Sequence, residues 1–340
     1  MLPMSNLITN ENELFEQMTF PSDDVIQAIS KLDGNILILG VGGKMGPTLA
    51  ELLVRAGARN VIGVSRFGNP NIKNYLSKKG IKVIQADLLN ETELTNLPDA
   101  TNIFFLAGFK FGMSENLPMT WAMNSWLPGR IMQRFPESQI IYLSSGNVYG
   151  YTSVASSGAN ETSVINPIGE YAQSRLAGER IAEYFSLKYR TRLLIVRLFY
   201  ATELRYGIIH DLARKVFEGI PIDLNMGHIN QIWQGDATRY LARLFPKCTS
   251  PATILNMAGP EVLSVRTLAN LISNRLETEP IFEGNEKKTA LLGDAQSLFN
   301  QFGLPNISTT QIIEWVAHWI RNRGASLGKP TGYESRTGQF

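Results

Sequence analysis

The segment Gly40-Val41-Gly42-Gly43-Lys44-Met45-Gly46 follows the apolar run Ile36-Leu37-Ile38-Leu39 and precedes a stretch, 48–56, with helical spacing of apolar residues. No other feature constrains the fold as strongly as these glycines, Gly40, Gly43 and Gly46, at a strand-to-helix junction. Without side chains the backbone turns sharply, and a pyrophosphate can approach the helix N-terminus, where free N–H groups and the helix dipole favour negative charge. Pro47 stands at an early helical position, where its missing N–H costs little. Lys44 and Met45 complete the loop expected to surround that phosphate.

Apolar runs recur at 61–64, 81–84, 103–107, 140–143 and 193–198, separated by segments long enough for helices. Continuous rather than alternating runs suit parallel strands covered on both faces. The expected fold is α/β: a doubly wound parallel sheet (Rossmann) with a smaller, discontinuous C-terminal substrate lobe. Residues 1–34 read as an N-terminal helical extension and 35–199 as the dinucleotide-binding core. Residues 200–325 read as mostly substrate-side lobe with returning Rossmann elements, and 326–340 as a tail.

With 340 residues, 44% of them hydrophobic, the chain can bury such a core. Its single Cys248 excludes an intramolecular disulfide, and His210, His228 and His318 lack ligand spacing, so no metal is expected. A formal charge of +2 and no basic stripe argue against a nucleic-acid partner, which leaves Phe104, Phe105, Phe109 and Phe111 as core and pocket wall. No apolar stretch reaches the roughly 18 residues of a membrane span, so a cytoplasmic protein without a membrane partner is expected.

The second strand ends Val64-Ser65-Arg66. A carboxylate there would bond the ribose of NAD, whereas a small polar residue followed by Arg leaves room and charge for a 2′-phosphate. NADP is therefore preferred and NAD is the alternative. Asp87 after the third strand is placed to accept from the adenine amino group, with Leu88 against the ring. Ala107-Gly108 after the fourth lets a cofactor run close to the backbone.

The strand at 140–143 runs into Ser144-Ser145-Gly146-Asn147-Val148-Tyr149-Gly150. Further on, Asn166-Pro167 leads into a helix that puts Tyr171 and Arg175 one turn apart on one face. A phenol that can lose its proton, a cation that stabilises the phenolate and a second hydroxyl at Ser145 form a proton relay.

From these motifs the chain resembles the extended short-chain dehydrogenase/reductases of the NAD-dependent epimerase/dehydratase family over roughly residues 35–325. Gly40, Gly43 and Gly46 match its cofactor loop, Asp87 its adenine-side Asp, Asn124 its helix Asn and Ser145 its Ser/Thr. Glu161 with Pro167 matches its lead into the catalytic helix. The resemblance implies Tyr171 as acid/base, Ser145 as the group orienting the reacting oxygen, and position 175 as the site of a ribose-binding Lys. Arg175 departs from that pattern, and its planar fork cannot reproduce an ammonium's contacts.

Substrate-side groups are expected at Ser145, Asn147, Tyr200 and His228, although Tyr200 stands where the family has Asn. Its diphosphate-pairing Arg is also missing from the segment Ile229-Asn230-Gln231-Ile232-Trp233; Arg205, Arg239 and Arg266 are the substitutes to place. The implied activity is that of an NAD(P)-dependent oxidoreductase, epimerase or dehydratase acting on a hydroxyl/carbonyl of a small polar metabolite, a sugar or nucleotide-sugar. A dinucleotide-binding regulatory or scaffold protein is the competing expectation. Trp121, Met123 and Trp126 suggest an oligomer face, with a homodimer as the expected assembly.

Overall fold

The apolar runs become strands within a few residues of where the sequence places them. In the computed structural model, which describes residues 7–110 and 116–338, the first five are β1 (Ile36–Leu39), β2 (Val61–Ser65), β3 (Lys82–Gln85), β4 (Asn102–Phe105) and β5 (Gln139–Ser145). After a short β6 (Thr152–Ser153) come β7 (Arg192–Leu198), β8 (Tyr200–Thr202), β9 (Ile222–Asp223), β10 (His228–Ile229), β11 (Gln231–Trp233) and β12 (Thr253–Met257). The last three are β13 (Leu263–Ser264), β14 (Phe282–Glu283) and β15 (Thr289–Ala290).

Seven of these form one parallel sheet in the order β12-β7-β5-β4-β1-β2-β3. Both faces are covered: Ile36 and Ile38 point into one apolar cluster, Leu37 and Leu39 into another, which is why β1 has no polar position. The remaining short strands pair as β6 with β15, β8 with β11, β9 with β14 and β10 with β13, outside the main sheet.

The strand order reverses between β1 and β4, so the connections leaving them diverge and open a crevice at the carboxyl ends. Gly40 marks this point: its φ is +90°, and a Cβ there would lie 2.6 Å from the Ala107 backbone nitrogen. The two loops can approach only because position 40 has no side chain.

Helices α1 (Glu11–Thr19) and α2 (Asp23–Ser30) make up the N-terminal extension, and Asn10 caps α1 by accepting from Glu13 N at 3.0 Å. The extension is part of the core rather than an appendage. Leu14, Met18, Val25 and Ile29 are buried against α3 (Gly46–Arg55) and α10 (Gln234–Arg243). Arg55 pairs with Glu16 at 2.5 Å, and the buried Arg239 donates to the Phe20 and Gln17 carbonyls at 3.1 and 2.7 Å.

Between these lie α4 (Pro70–Lys78), α5 (Glu91–Thr95), α6 (Leu117–Trp121), α7 (Leu127–Arg134), α8 (Gly169–Tyr189) and α9 (Ile208–Glu218). A π-helical turn, Ala122–Trp126, joins α6 to α7. Helix α8 begins at Gly169 rather than at Pro167, because Ile168 is extended and Gly169 has a φ of +81°. In the smaller lobe α9, α11 (Val265–Leu276) and α13 (Thr309–Arg321) pack together, and α12 (Gln296–Phe302) lies against β12.

Phe104 and Phe105 are core residues, Phe109 is half-buried, and Phe111 lies outside the described residues. Among the described residues no helix is long and apolar enough to cross a membrane, and no group of three His, Cys, Asp or Glu is arranged to hold a metal ion.

Candidate active site

The glycine loop delivers α3 into the crevice with its N-terminus uncapped: Met45, the N-cap residue, makes no side-chain cap bond, and no acidic residue occupies the first turn. An uncapped helix start with its positive dipole end is a phosphate site. A Cβ at Gly46 would stand 2.2 Å from the Val41 carbonyl oxygen, so the tight turn that aims the helix requires glycine there. These features fit a dinucleotide pyrophosphate.

Lys44 extends from the same loop, its Nζ 3.0 Å from the centroid of the Tyr206 ring. Burial, reinforced by the neighbouring Lys110 and Lys329 charges and opposed by Asp211 and Glu203, pushes its pKa down to about 6. At pH 7 the amine is mostly neutral, and an anion beside it would favour its protonation.

On the adenosine side, Ser65 ends β2 and Arg66 is exposed. Ala86 N donates to the Ser65 carbonyl at 3.0 Å, which brings the ends of β2 and β3 together. Asp87 follows; its Oδ1 accepts from Leu89 N at 3.0 Å, and its own N–H donates to Glu93 at 2.7 Å. Leu88 and Ala107 belong to the apolar cluster that holds Leu39.

Tyr171 and Arg175 lie one turn apart on α8, as the spacing predicts. Arg175 is almost completely buried: Nη2 donates to the Leu143 carbonyl of β5, Nη1 reaches Asn124 Oδ1 at 3.4 Å, and the guanidinium lies 5.0 Å from the Tyr142 ring centroid. Its Nε, also buried, has no hydrogen-bond partner among the described residues. The Gly108 backbone faces the same guanidinium.

Asn124 ties three neighbouring residues together. Its Oδ1 accepts from Phe109 N at 2.8 Å, and its Nδ2 donates to Phe109 O and Ser174 Oγ at 2.9 and 3.1 Å. With the Arg175 bond these fill the amide's capacity, so Asn124 holds the loop at 107–110 and Arg175 in position. The π turn that carries it is a local distortion of the kind found at functional sites.

Ser145 sits at the carboxyl end of β5. Its Oγ donates to Asn147 Oδ1 at 2.9 Å and accepts from Asn147 N at 3.2 Å, so the two predicted substrate-side residues form one unit. Beneath them runs a buried polar network absent from the sequence reading. Ser144 Oγ donates to Glu179 at 2.5 Å, Arg197 pairs with Glu179 at 2.7 Å and donates to Tyr149 Oη at 2.7 Å, and Tyr149 donates to Asn256 at 3.0 Å.

Lys110 was also missed; its Nζ lies 5.6 Å from the Tyr171 ring centroid, and burial pushes its pKa down to about 8. The signal was available: Lys110 follows the Ala107-Gly108 loop by two residues.

Asn147, Tyr149, Tyr200 and Met226 line a chamber of about 10 Å³. His228 is not among the residues lining it; it sits on β10, paired with Ser264 of β13. Neither Arg205 nor Arg239 is available to a diphosphate: Arg205 pairs with Glu203 at 3.0 Å and Glu11 at 2.7 Å, and Arg239 is spent on Asp236 and the α1–α2 backbone. Arg266 pairs with Glu286 at 3.0 Å. A wider cleft of about 610 Å³, bounded by Thr101, Gln139 and Arg192, opens at the amino ends of the strands, away from the glycine loop. Ligands of doubly wound sheets bind at the carboxyl ends, where Ser145 and the glycine loop also lie.

The fold is shared with solved sugar-nucleotide enzymes. UDP-glucuronic acid 4-epimerase from Bacillus cereus, in complex with NAD, superposes with a TM-score of 0.73 at 19% identity, covering 84% of this chain and 96% of that one. UDP-glucose 4-epimerase from Thermus thermophilus, also with NAD, gives 0.72 at 16% identity, covering 86% and 99%. In sequence, a Bacillus subtilis (strain 168) protein described as the uncharacterized UDP-glucose epimerase YtcB is 23% identical over 261 residues, 70% of this chain and 81% of the relative. The profile of the NAD dependent epimerase/dehydratase family matches residues 36–207, from β1 through α8 to just past β8, and the chain belongs to that family of enzymes.

Proposed function

We propose that the chain catalyses epimerisation, dehydration or net oxidoreduction at a hydroxyl/carbonyl centre of a sugar carried on a nucleotide, with Tyr171 as the proton-transferring group. The observation that supports this most is the seating of Arg175, one turn from Tyr171 on α8, on the Leu143 carbonyl of β5, the strand that ends in Ser145 with Asn147 bonded to it, beside the crevice into which the glycine loop opens. Tyr171 Oη takes the substrate's hydroxyl proton and returns it. The Ser145–Asn147 pair holds the reacting oxygen. Arg175 and Lys110 bring positive charge to the side of Tyr171, where negative charge develops. The dinucleotide, when bound along the loop at 40–46, Ser65, Arg66, Asp87, Leu88 and the segment at 107–108, supplies hydride acceptance and donation. His228, on β10 two residues from the chamber-lining Met226, is assigned to substrate binding as well.

The cofactor we favour is NADP, because no carboxylate ends β2 and Arg66 is exposed beside Ser65. In calorimetric titrations of cofactor-stripped protein, Arg66→Ala is expected to weaken NADP and NADPH binding by roughly tenfold, about 1.4 kcal/mol, and to leave NAD and NADH unchanged. Equal affinities of the parent protein for both pairs would exclude the preference.

A cytoplasmic homodimer completes the reading. Trp121 and Trp126 are 37% and 50% exposed, and on α8 Tyr184 and Leu187 are 58% and 59% exposed, an apolar surface of the kind dimers cover. Sedimentation equilibrium is expected to give twice the chain mass, and Trp126→Glu to give the single-chain mass.

A further inference from the structure

We infer that residues 335–338 are a size-selecting wall of the substrate pocket, which fills space needed by a sugar-sized substrate and withdraws when one binds. This rests on the assignment of Asn147 and Tyr200 to the substrate side.

The tail after α13 is tied down along its whole path. Leu327 N donates to the Arg205 carbonyl at 3.0 Å, Thr331 donates from both N and Oγ1 to Asp211 at 2.8 and 2.7 Å, and Glu334 pairs with Lys215 at 2.6 Å. Between these anchors Tyr333 is wholly buried. The chain then crosses the substrate-side cleft to the start of the catalytic helix, where Gly338 packs so closely on Ile168 that a Cβ on it would meet the Ile168 carbonyl at 2.2 Å. Tyr171 is three residues further along the chain from Ile168.

Ser335 and Gly338 thereby join Asn147, Tyr149 and Tyr200 around a chamber of only about 10 Å³. That volume suits about one water, whereas pockets for organic ligands run to roughly 300–1,000 Å³. A substrate group larger than water, seated between Asn147 and Tyr200, needs this wall to move.

The attachments show which part can move. Up to Glu334 the tail is held by a buried aromatic ring and by bonds to charged groups. Beyond it, among the described residues, the polar latch to the rest of the fold is Arg336, which donates to the Thr289 carbonyl and hydroxyl at 2.8 Å each and to the Asn225 carbonyl at 3.2 Å, and lies 4.1 Å from the Tyr151 ring centroid. Among the described residues no carboxylate pairs with it. The outer segment has neither a pair of opposite charges like Lys215–Glu334 nor a wholly buried ring like Tyr333, so it opens at lower cost than the inner one.

The test introduces Leu291→Cys, a buried position on the chamber wall, into a protein whose own Cys248 is buried. It compares thiol labelling of the full chain, a chain cut after Glu334 and full-length Arg336→Ala, each saturated with dinucleotide. The cut keeps Tyr333 and the Lys215 pair; should it still unfold, Arg336→Ala carries the test alone. Labelling is expected to accelerate by about tenfold or more in the cut chain and by a smaller factor in Arg336→Ala. Unchanged rates in folded variants overturn the inference. Calorimetry with UDP separates it from the functional reading: UDP binding that tightens together with labelling supports both. Faster labelling with unchanged UDP affinity upholds the movable wall and counts against a nucleotide-linked substrate.

Discussion

Phenylalanine at position 171 is expected to lower kcat by roughly 10²–10⁴-fold, the usual contribution of a positioned proton-transfer group. The substitution deletes one oxygen and keeps the ring, which Lys110 approaches to 5.6 Å, so helix α8 and the cofactor crevice are expected to stay intact. Dinucleotide affinity measured by calorimetry should therefore match the parent protein while steady-state turnover of the nucleotide-linked sugar substrate collapses. That split separates a chemical role from a structural one, since a packing defect would weaken cofactor binding and thermal stability together. Turnover within threefold of the parent would remove Tyr171 from the mechanism and leave Arg175, Ser145 and Asn147 as a binding constellation only.

The parts of the fold that could be read from sequence are those in which one residue type answers one local demand. Both faces of β1 are buried, so Ile36-Leu37-Ile38-Leu39 carries no polar residue, and the glycine spacing reports a turn that side chains would block. The helical spacing of Tyr171 and Arg175 is equally local. What could not be read depends on partners distant in the chain. The apolar face of α1 is visible in sequence, but its seat on α3 and α10 depends on Arg239, some 220 positions away, reaching the Gln17 and Phe20 carbonyls. Tyr333 is one aromatic residue in a stretch without periodicity, so nothing local announces that it is buried. Asn124 matches the family motif, yet its bonds to Phe109 and Ser174 follow from a π turn that no spacing rule reveals. Arg205 and Arg239 are candidate phosphate ligands in sequence only because their carboxylate and carbonyl partners lie elsewhere.

Glu179→Ala is expected to cost about 3–5 kcal/mol, the penalty for leaving a buried charge unpaired. Glu179 is 0% exposed and Arg197 1%, joined at 2.7 Å with further bonds from Nε at 3.2 Å to both carboxylate oxygens. An arginine cannot shed its proton to relieve the loss, and after the change only the Tyr149 hydroxyl remains as its partner in this network. Against a total stability of about 5–15 kcal/mol this is a large fraction, measurable as a fall in the urea midpoint. The double variant Glu179→Ala with Arg197→Met removes the stranded charge and should recover much of the loss, so the two changes will not add. A cost below about 1 kcal/mol in the single variant would mean that water reaches Arg197. The pair also links stability to the site: Glu179 accepts from Ser144, which precedes Ser145 on β5, and Arg197 holds Tyr149 at the chamber wall. Glu179→Ala should therefore reduce kcat for the nucleotide-linked sugar substrate even below its unfolding transition, while the glycine loop, on the other side of β4, keeps its dinucleotide affinity.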